Sequence, residues 1–271
     1  MSGDEYILAR IDVVAFSTLS KSVPRTDDVF DAIEALLSTS NEEIRRQNAS
    51  RKKDFKLEAR LYGDTIDIYF KTGDCDHGLI LMLCDVVAKT QKEALCHGLF
   101  IKGSIVKGRL RITDEGFTGS AMVTAHDMEQ ACQYSCIVLA DNVLELINEV
   151  AQEKFITNQD IINFTKNITV DRHFLNYLEA CPFGFWKTIK PDLKVHRESL
   201  ISAIERYNSI LPDDPAKRKN YIGMYEHSLK NHNRVCEEHG AREELIVFRT
   251  EQINGITTIN IQEPDQEIII I

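Results

Sequence analysis

The sequence lacks an excess of positive charge. Its 271 residues carry 32 Lys and Arg against 42 Asp and Glu, a formal net charge of -10. Proteins that bind duplex nucleic acid over a broad face neutralise many phosphates with Lys and Arg, so this balance argues against such a face. An acidic chain can still bind one nucleotide locally, through metal ions and a few basic side chains.

Segments that cross or enter a membrane are also missing from the sequence. No apolar run is long enough to span a bilayer, and residues 1–6 form neither a basic n-region nor an apolar h-region. The seven cysteines are odd in number and scattered, which favours reduced thiols. We therefore expect a cytoplasmic protein with neither a membrane nor a nucleic acid as partner.

Several signatures of other nucleotide enzymes and hydrolases do not occur. The chain has no Gly-x-x-x-x-Gly-Lys-Ser/Thr P-loop, and Ser17 lies in no Gly-x-Ser-x-Gly elbow. The Gly-Gly-Asp-Glu/Phe hairpin that is typical of diguanylate cyclases is absent as well. These absences argue against a P-loop nucleotide-binding protein, a serine hydrolase with a nucleophile elbow and a diguanylate cyclase.

The first 150 residues alternate between strand and helix patterns. Strand patterns cover 6–14, 55–70 and 100–112, and helical patterns cover 27–47, 77–96 and 141–152. The 55–70 segment reads as two strands that meet at Gly63-Asp64, since glycine supplies the freedom of a tight turn. The resulting β-α-β-β-α-β order predicts an α+β, ferredoxin-like sheet.

The chain changes character after residue 152. We predict a catalytic domain over 1–152 and a mainly helical extension over 153–271. Within the extension we predict helices over 196–207 and 217–239, followed by a β-hairpin over 244–262 that turns at Asn254-Gly255. We expect the apolar end, Ile268-Ile-Ile-Ile271, to pair with a sheet edge or with a partner subunit.

Two aspartates beside apolar strands indicate the chemistry. Asp12 lies in the first strand pattern, and Asp64 follows Gly63 in the second. Such carboxylates are costly to bury unless they are paired or bind metal. Brought together by a sheet, they would hold two divalent ions about 4 Å apart, which clamp the attacking and leaving oxygens of a phosphoryl displacement. Each aspartate alone also fits an ordinary strand end or hairpin.

Four segments, in order, resemble the motifs of class III nucleotidyl cyclases. Ile11-Asp-Val-Val-Ala-Phe-Ser17 resembles the first metal motif, and Arg60-Leu-Tyr-Gly-Asp64 resembles the second. The segment 101–108 is similar to the glycine-bearing strand of the family, and 119–129 to its last catalytic segment. The resemblance covers residues 5–150. It implies that the 3′-hydroxyl of a nucleoside triphosphate attacks its own α-phosphorus and expels pyrophosphate.

The resemblance also implies roles for single residues. Asp12 and Asp64 would hold two divalent cations, Mn²⁺ or Mg²⁺, and the Val13 carbonyl would complete one shell. Backbone amides of residues 14–17, Ser17 included, would meet phosphate, and Phe16 would pack below the sugar or the phosphates.

The last segment departs from the family. Val123 and Asp127 stand where adenylate cyclases have an Asn and an Arg that steady the transition state. Neither side chain can do so. The positive charge would come from a partner subunit or from one of four basic residues of the preceding strand, namely Lys102, Lys107, Arg109 or Arg111.

Arg60 occupies the position at which the family contacts the base. Its guanidinium offers donors only, in a rigid fork, which suits the two carbonyl acceptors of uracil. Cytosine keeps O2 and N3 as acceptors and is not excluded. Tyr62 is a second candidate for contact with a small base.

This pattern, with a helical extension, is similar to the pyrimidine cyclases of the bacterial Pycsar antiphage systems. The similarity implies conversion of UTP to cyclic UMP, with CTP as the closest alternative and ATP or GTP further ones. It also implies a head-to-tail homodimer with shared sites, and a separate effector protein that reads the product. A degenerate, cyclase-like nucleotide-binding module is the alternative of another class.

Overall fold

The chain folds into a mixed eight-stranded sheet flanked by helices, with a second sheet of three strands. The computed structural model describes residues 4–22, 26–49, 56–73, 77–114, 116–132, 134–154, 162–164, 173–175, 177–178, 192–212, 214–253, 256–262 and 267–270. The α+β architecture predicted from the sequence is confirmed.

Eleven strands lie within the described ranges. They are β1 Asp4–Val13, β2 Glu58–Tyr62, β3 Thr65–Lys71, β4 Ile101–Thr113, β5 Gly116–Thr118, β6 Ile137–Leu139, β7 Ile162–Phe164, β8 His173–Leu175, β9 Val247–Ile253, β10 Ile256–Gln262 and β11 Glu267–Ile270.

Seven α-helices accompany these strands. They are α1 Phe16–Ser22, α2 Thr26–Asn48, α3 His77–Cys96, α4 Ser120–Ala131, α5 Asp141–Lys154, α6 Leu193–Asn208 and α7 Pro215–His239. Asp214 caps α7 by accepting from the amide of Ala216, and Gly240, at φ 70°, ends it in the left-handed conformation. Among the described residues, no helix combines the length and the apolar character that a bilayer crossing requires.

The large sheet has the strand order β2-β3-β1-β4-β6-β8-β7, and β5 pairs with β4 outside this path. β1 is antiparallel to both of its neighbours, β3 and β4, whereas β4 and β6 are parallel. The first strand of the chain therefore lies at the centre, next to the β2–β3 hairpin. The resemblance to class III cyclases implies that the first metal motif, at the end of β1, lies next to the second, in the β2–β3 hairpin.

Strand alternation gives the sheet two different faces. Residues that are paired across antiparallel strands point to the same face. Ile7, Ala9 and Ile11 point to one face, where they join the main core together with residues of α2 and α3. Leu8 points to the opposite face and belongs to a separate apolar cluster with Tyr69 and residues of α4. We call the first the apolar face and the second the site face.

The sheet continues beyond residue 152. β8 pairs with β6 through Val138 and Phe174, and β7 pairs with β8. Residues of α6 and α7, such as Leu200 and Leu229, share one core cluster with the first strands. The extension thus contributes strands as well as helices, and the division at residue 152 stays a prediction.

The C-terminal hairpin forms between β9 and β10, in agreement with the predicted range 244–262. Its turn, Asn254-Gly255, lies outside the described residues. The expectation that the apolar end pairs with a sheet edge is confirmed, because β11 lies antiparallel to β10, with Ile270 opposite Ile259.

A chain of hydrogen bonds joins α6 and α7 in the interior. Nε2 of His232 lies 2.8 Å from the Glu244 carbonyl and must donate to it, which leaves Nδ1 of the neutral ring as an acceptor. Nδ1 of His196 lies 2.9 Å from that atom and donates to it, and the Tyr177 hydroxyl then donates to Nε2 of His196 over 2.8 Å. One carbonyl thus fixes both tautomers. A proton on Nδ1 of His232 would set two N–H groups face to face, and a proton on Nε2 of His196 would remove the acceptor of the Tyr177 hydroxyl.

These hydrogen bonds between the two histidines predict that the folded protein loses stability in weak acid. Burial and the neighbouring ring lower the pKa of His196 from 6.5 to about 3, and burial lowers that of His232. Because the folded-state pKa values lie below the unfolded ones, the stabilisation is complete above about pH 6.5 and declines as the pH falls. The contribution of these two rings to the free energy of unfolding should fall between pH 7.5 and 5.5, by up to about 1.4 kcal/mol per pH unit per histidine.

Urea unfolding at several pH values measures this slope. His196→Phe should be less stable at pH 7.5, by about 1–3 kcal/mol, since it leaves polar groups unpaired, and its slope should be shallower than that of the parent. His126→Gln, at an exposed position of α4, is the control and should match the parent. An unchanged slope in His196→Phe would refute the assignment.

Candidate active site

Strand register places four of the predicted site residues, Asp12, Arg60, Tyr62 and Lys102, on the site face. Thr65 is the partner of both Tyr62 and Asp12, and Asp12 is also paired with Lys102, so these four residues form one row across β2, β3, β1 and β4. The next row consists of Arg60, Asp67, Arg10 and Ser104. The site face is therefore polar at the end of β1, whereas the opposite face is apolar.

Asp12 and Asp64 lie at the same end of their strands. Gly63 supplies the φ of 63° with which the two-residue loop reverses the chain, and this loop sets Asp64 next to Thr65. Oδ1 of Asp12 accepts a hydrogen bond from the Thr65 hydroxyl over 3.1 Å. Burial raises the pKa of Asp12 to about 6, and the negative charges of Glu129 and Asp64 add to the shift. The two carboxyl groups predicted to hold metal are thus within electrostatic reach of each other.

The donor set fits hard divalent cations. The site combines four carboxylates, of Asp12, Asp64, Asp67 and Glu129, with three cations, of Arg10, Arg60 and Lys102, so negative charge is in excess. Mn²⁺ and Mg²⁺ favour carboxylate and carbonyl oxygens. Within the described ranges, no three His, Cys, Asp or Glu side chains already converge as a metal cage. Two carboxylates and a backbone carbonyl, completed by a triphosphate, would suffice for the expected site.

Asp67 is a buried site residue that the sequence did not reveal. Its side chain is fully buried and pairs with Nη1 of Arg10 over 3.1 Å. Burial outweighs the attraction of Arg10 and raises the pKa of Asp67 to about 6. In the register of β1 and β3, Arg10 is the partner of Asp67, two residues from the pair of Asp12 and Thr65. An alignment of the two strand patterns in this register would have revealed the ion pair.

Glu129 is a second residue that the sequence did not reveal. It projects from α4, which covers the site face over β1 and β4, and its side chain is only 4% exposed. Nζ of Lys102 lies 3.0 Å from its carboxylate. Lys102 thus lies opposite Asp12 in the strand register, and an ion pair with α4 holds it.

Arg60 and Tyr62 lie together on β2. Nη1 of Arg60 donates to the Thr113 carbonyl over 2.8 Å and to the Tyr62 hydroxyl over 3.4 Å. The guanidinium lies over the ring of Phe117, 5.3 Å from its centroid, and the Tyr62 ring meets the same ring edge-on. The β4–β5 hairpin therefore holds the predicted base-contacting residue from the side.

A sharp turn joins β1 to α1. Ala15 has a φ of 56°, the left-handed region, and its carbonyl accepts from the amides of Thr18 and Leu19. The Val14 amide donates to the Phe100 carbonyl over 2.9 Å and is therefore engaged in the sheet, contrary to the expectation that it meets phosphate. The amides of residues 15–17 precede the first intrahelical bonds and keep that predicted role.

The remaining predicted residues are placed as follows. Val13 is buried on the apolar face, so only its backbone faces a ligand. The Phe16 ring packs edge-on against Phe30, with 5.5 Å between centroids, and Ser17 is exposed.

The exposed side of α4 carries the two residues that differ from the last catalytic segment of adenylate cyclases. Val123 is 62% exposed, and Asp127 is exposed one turn further along the helix. Neither residue faces Asp12 from within the same chain. On the neighbouring strand, Lys107 pairs with Glu5 over 3.3 Å, whereas Arg109 and Arg111 are exposed.

No family model matches this chain, and no curated protein matches it. Among solved structures, it is similar to the guanylyl cyclase Cya2, at 11% identity over 65% of this chain and 93% of that chain, with a TM-score of 0.42. It is also similar to the guanylyl cyclase domain of the RhoGC fusion protein from the aquatic fungus Blastocladiella emersonii, at 11% identity over 65% and 96%, with a TM-score of 0.47.

A class III adenylyl cyclase-like ATP-binding protein from Pseudomonas aeruginosa is similar at 13% identity, over 53% of this chain and 34% of that chain, with a TM-score of 0.37. Since these identities are low and the TM-scores lie below 0.5, the function of the chain is argued below from its own residues.

The buried ion pair predicts a large and specific stability effect. Arg10→Met leaves the Asp67 carboxylate buried without its cation and should lower the free energy of unfolding by about 3–5 kcal/mol. Lys71→Met breaks the exposed Lys71–Asp4 pair on the same two strands and should cost about 1 kcal/mol or less. Urea unfolding compares the two variants, and equal losses would contradict the description of the site.

Proposed function

We propose that this chain is a nucleotidyl cyclase that converts UTP to 3′,5′-cyclic UMP and pyrophosphate. The observation that carries the proposal is the convergence of Asp12 and Asp64 at one end of the site face, among more carboxylates than cations. Divalent cations would compensate this excess of negative charge, and a triphosphate is their natural counterpart.

The reaction is intramolecular, so the protein mainly positions groups and stabilises charge. Bound divalent cations would lower the pKa of the attacking 3′-hydroxyl and neutralise the triphosphate. Asp12, Asp64 and the Val13 carbonyl would hold these ions, Mn²⁺ or Mg²⁺. Lys102, Phe16 and Ser17 would contact the nucleotide, and the amides of residues 15–17 would orient its phosphates.

Arg60 supports the choice of a pyrimidine. Nη1 is fixed by Thr113 and Tyr62, and a guanidinium has five N–H donors in total, so it retains donors for a base that offers acceptors. Uracil offers two carbonyl oxygens, and Tyr62 lies beside Arg60 to contact a small ring. Cytosine, with O2 and N3, is the next candidate.

The same proposal places the chain in antiphage defence. A homodimer with shared sites would supply transition-state charge that Val123 and Asp127 cannot provide. The cyclic nucleotide would act as a second messenger for a separate effector protein. The resemblance of the sequence to pyrimidine cyclases supports this part of the proposal.

A nucleotide-binding module without turnover is the second candidate. The exposed Val123 and Asp127 favour it, because they stand where the family has its transition-state residues. Incubation with each of the four ribonucleoside triphosphates and Mn²⁺, followed by chromatography, separates the two candidates. Pyrophosphate with one cyclic monophosphate supports the enzyme, whereas binding without product supports the module.

Removal of a metal carboxylate should abolish turnover. We expect Asp64→Ala to form cyclic UMP at least about 100-fold more slowly than the parent, since a transition-state charge contact is worth that much or more. Asp31→Ala, at an exposed position of α2, is the matched control and should retain parental activity. Equal rates for Asp64→Ala and the parent would refute the metal assignment.

Arg60→Lys should change the choice of base. A lysine presents a compact charge instead of a planar fork, so discrimination among the four triphosphates should fall by about tenfold or more. The Mn²⁺ concentration at half-maximal rate should stay close to the parental value. Arg45→Lys, on the exposed side of α2, serves as control. An unchanged base preference in Arg60→Lys would remove Arg60 from the reading role.

A further inference from the structure

Tyr207 lies beneath the turn that follows β1, although it belongs to the extension. It is the penultimate residue of α6, and it is fully buried. Its ring meets Phe100 edge-on, with 5.1 Å between centroids. The proposed reaction assigns no role to Tyr207.

The Tyr207 hydroxyl closes a ring of three hydrogen bonds. The Val14 amide donates to the Phe100 carbonyl over 2.9 Å, and the Phe100 amide donates to the Tyr207 hydroxyl over 3.3 Å. The hydroxyl has one proton, and its closest acceptor is the Val14 carbonyl, at 2.8 Å. The Phe100 carbonyl is further away, at 3.3 Å, and already accepts from Val14.

This ring marks the point at which β1 leaves the sheet. β1 and β4 are paired as far as Val13 and Ile101, and Val14 and Phe100 come next. Opposite residues of an antiparallel pair can exchange two direct N–H···O bonds. Here one bond is direct, and the hydroxyl takes the place of the other by bridging the Phe100 amide and the Val14 carbonyl.

The inserted hydroxyl directly precedes the strained turn. Ala15, with its φ of 56°, follows the carbonyl that Tyr207 holds. A non-glycine residue in this conformation persists where its surroundings fix it, and such residues cluster at functional sites. Arg206 anchors the same end of α6, since its Nη1 donates to the His97 carbonyl over 2.7 Å.

We propose that Tyr207 is a positioning residue for the first metal motif. Its hydroxyl fixes the Val14 carbonyl and thereby the turn that presents Asp12, the Val13 carbonyl and the amides of residues 15–17. The link to catalysis rests on the proposed function, whereas the link to the turn rests on the hydrogen bonds alone. The extension thus reaches the turn after β1 through the Tyr207 hydroxyl.

Tyr207→Phe tests the role, because it removes one oxygen atom and leaves the ring. Tyr225→Phe is the matched control. Tyr225 is also fully buried, its ring lies 5.8 Å from that of Phe100, and its hydroxyl has no partner among the described residues. Both variants are compared with the parent by thermal unfolding, by amide hydrogen exchange and by cyclic UMP formation at varied Mn²⁺.

We expect faster exchange of the amides of residues 12–17 in Tyr207→Phe, at a temperature where the variant is folded. The Mn²⁺ concentration at half-maximal rate should rise about 10–100-fold, the usual effect of losing a partner that orients a metal ligand. Base preference should not change, because Arg60 and Tyr62 lie on β2, and the control should match the parent. If Tyr207→Phe behaves like Tyr225→Phe in exchange and in Mn²⁺ dependence, the proposal is overturned.

Failure of the proposed function would be recognised separately. If the parent forms no cyclic nucleotide, that function is wrong, and the exchange comparison alone decides the role of Tyr207 in the turn. If Tyr207→Phe does not fold, para-aminophenylalanine at position 207 replaces it in the test, since its amino group can donate and accept. Parental exchange in that variant supports the proposal, and fast exchange in residues 12–17 with the rest of the fold intact overturns it.

Discussion

Excess negative charge on one face of the sheet is the constraint on which this account depends. In the two rows at the end of β1 and on α4, four carboxylates face three cations, and burial raises the pKa of both Asp12 and Asp67 to about 6. A fold that only needed stability would gain from apolar residues at these positions. The arrangement is explained if divalent cations complete it, since their charge reverses the penalty.

The rest of the structure serves to hold these charges in place. β1 lies in the interior of the sheet, between β3 and β4, and the tight Gly63-Asp64 loop brings the second carboxylate beside the first. α4 covers the face from one side and supplies Glu129 to Lys102. The Tyr207 hydroxyl of α6 donates to the Val14 carbonyl, in the turn after Asp12.

The sequence was sufficient to predict the elements, because strand alternation and helical periodicity are local signals. α3 has the bounds that its pattern indicates, and the hairpin predicted over 55–70 forms from Glu58 to Lys71 around Gly63. The roles of Asp67, Glu129 and Tyr207 could not be predicted, since each depends on a partner 57, 27 or 193 residues away in the chain. β7 and β8 were missed because strands of three residues are too short to show a period.

The central claim is that Asp12 and Asp64 together bind two cations under a triphosphate. A crystal grown with Mn²⁺ and a non-reactive UTP analogue tests it most directly, through the anomalous scattering of manganese. The account predicts two peaks about 4 Å apart between the two carboxylates, with the phosphates against residues 15–17. Manganese bound elsewhere, or a nucleotide bound away from the site face, would contradict it.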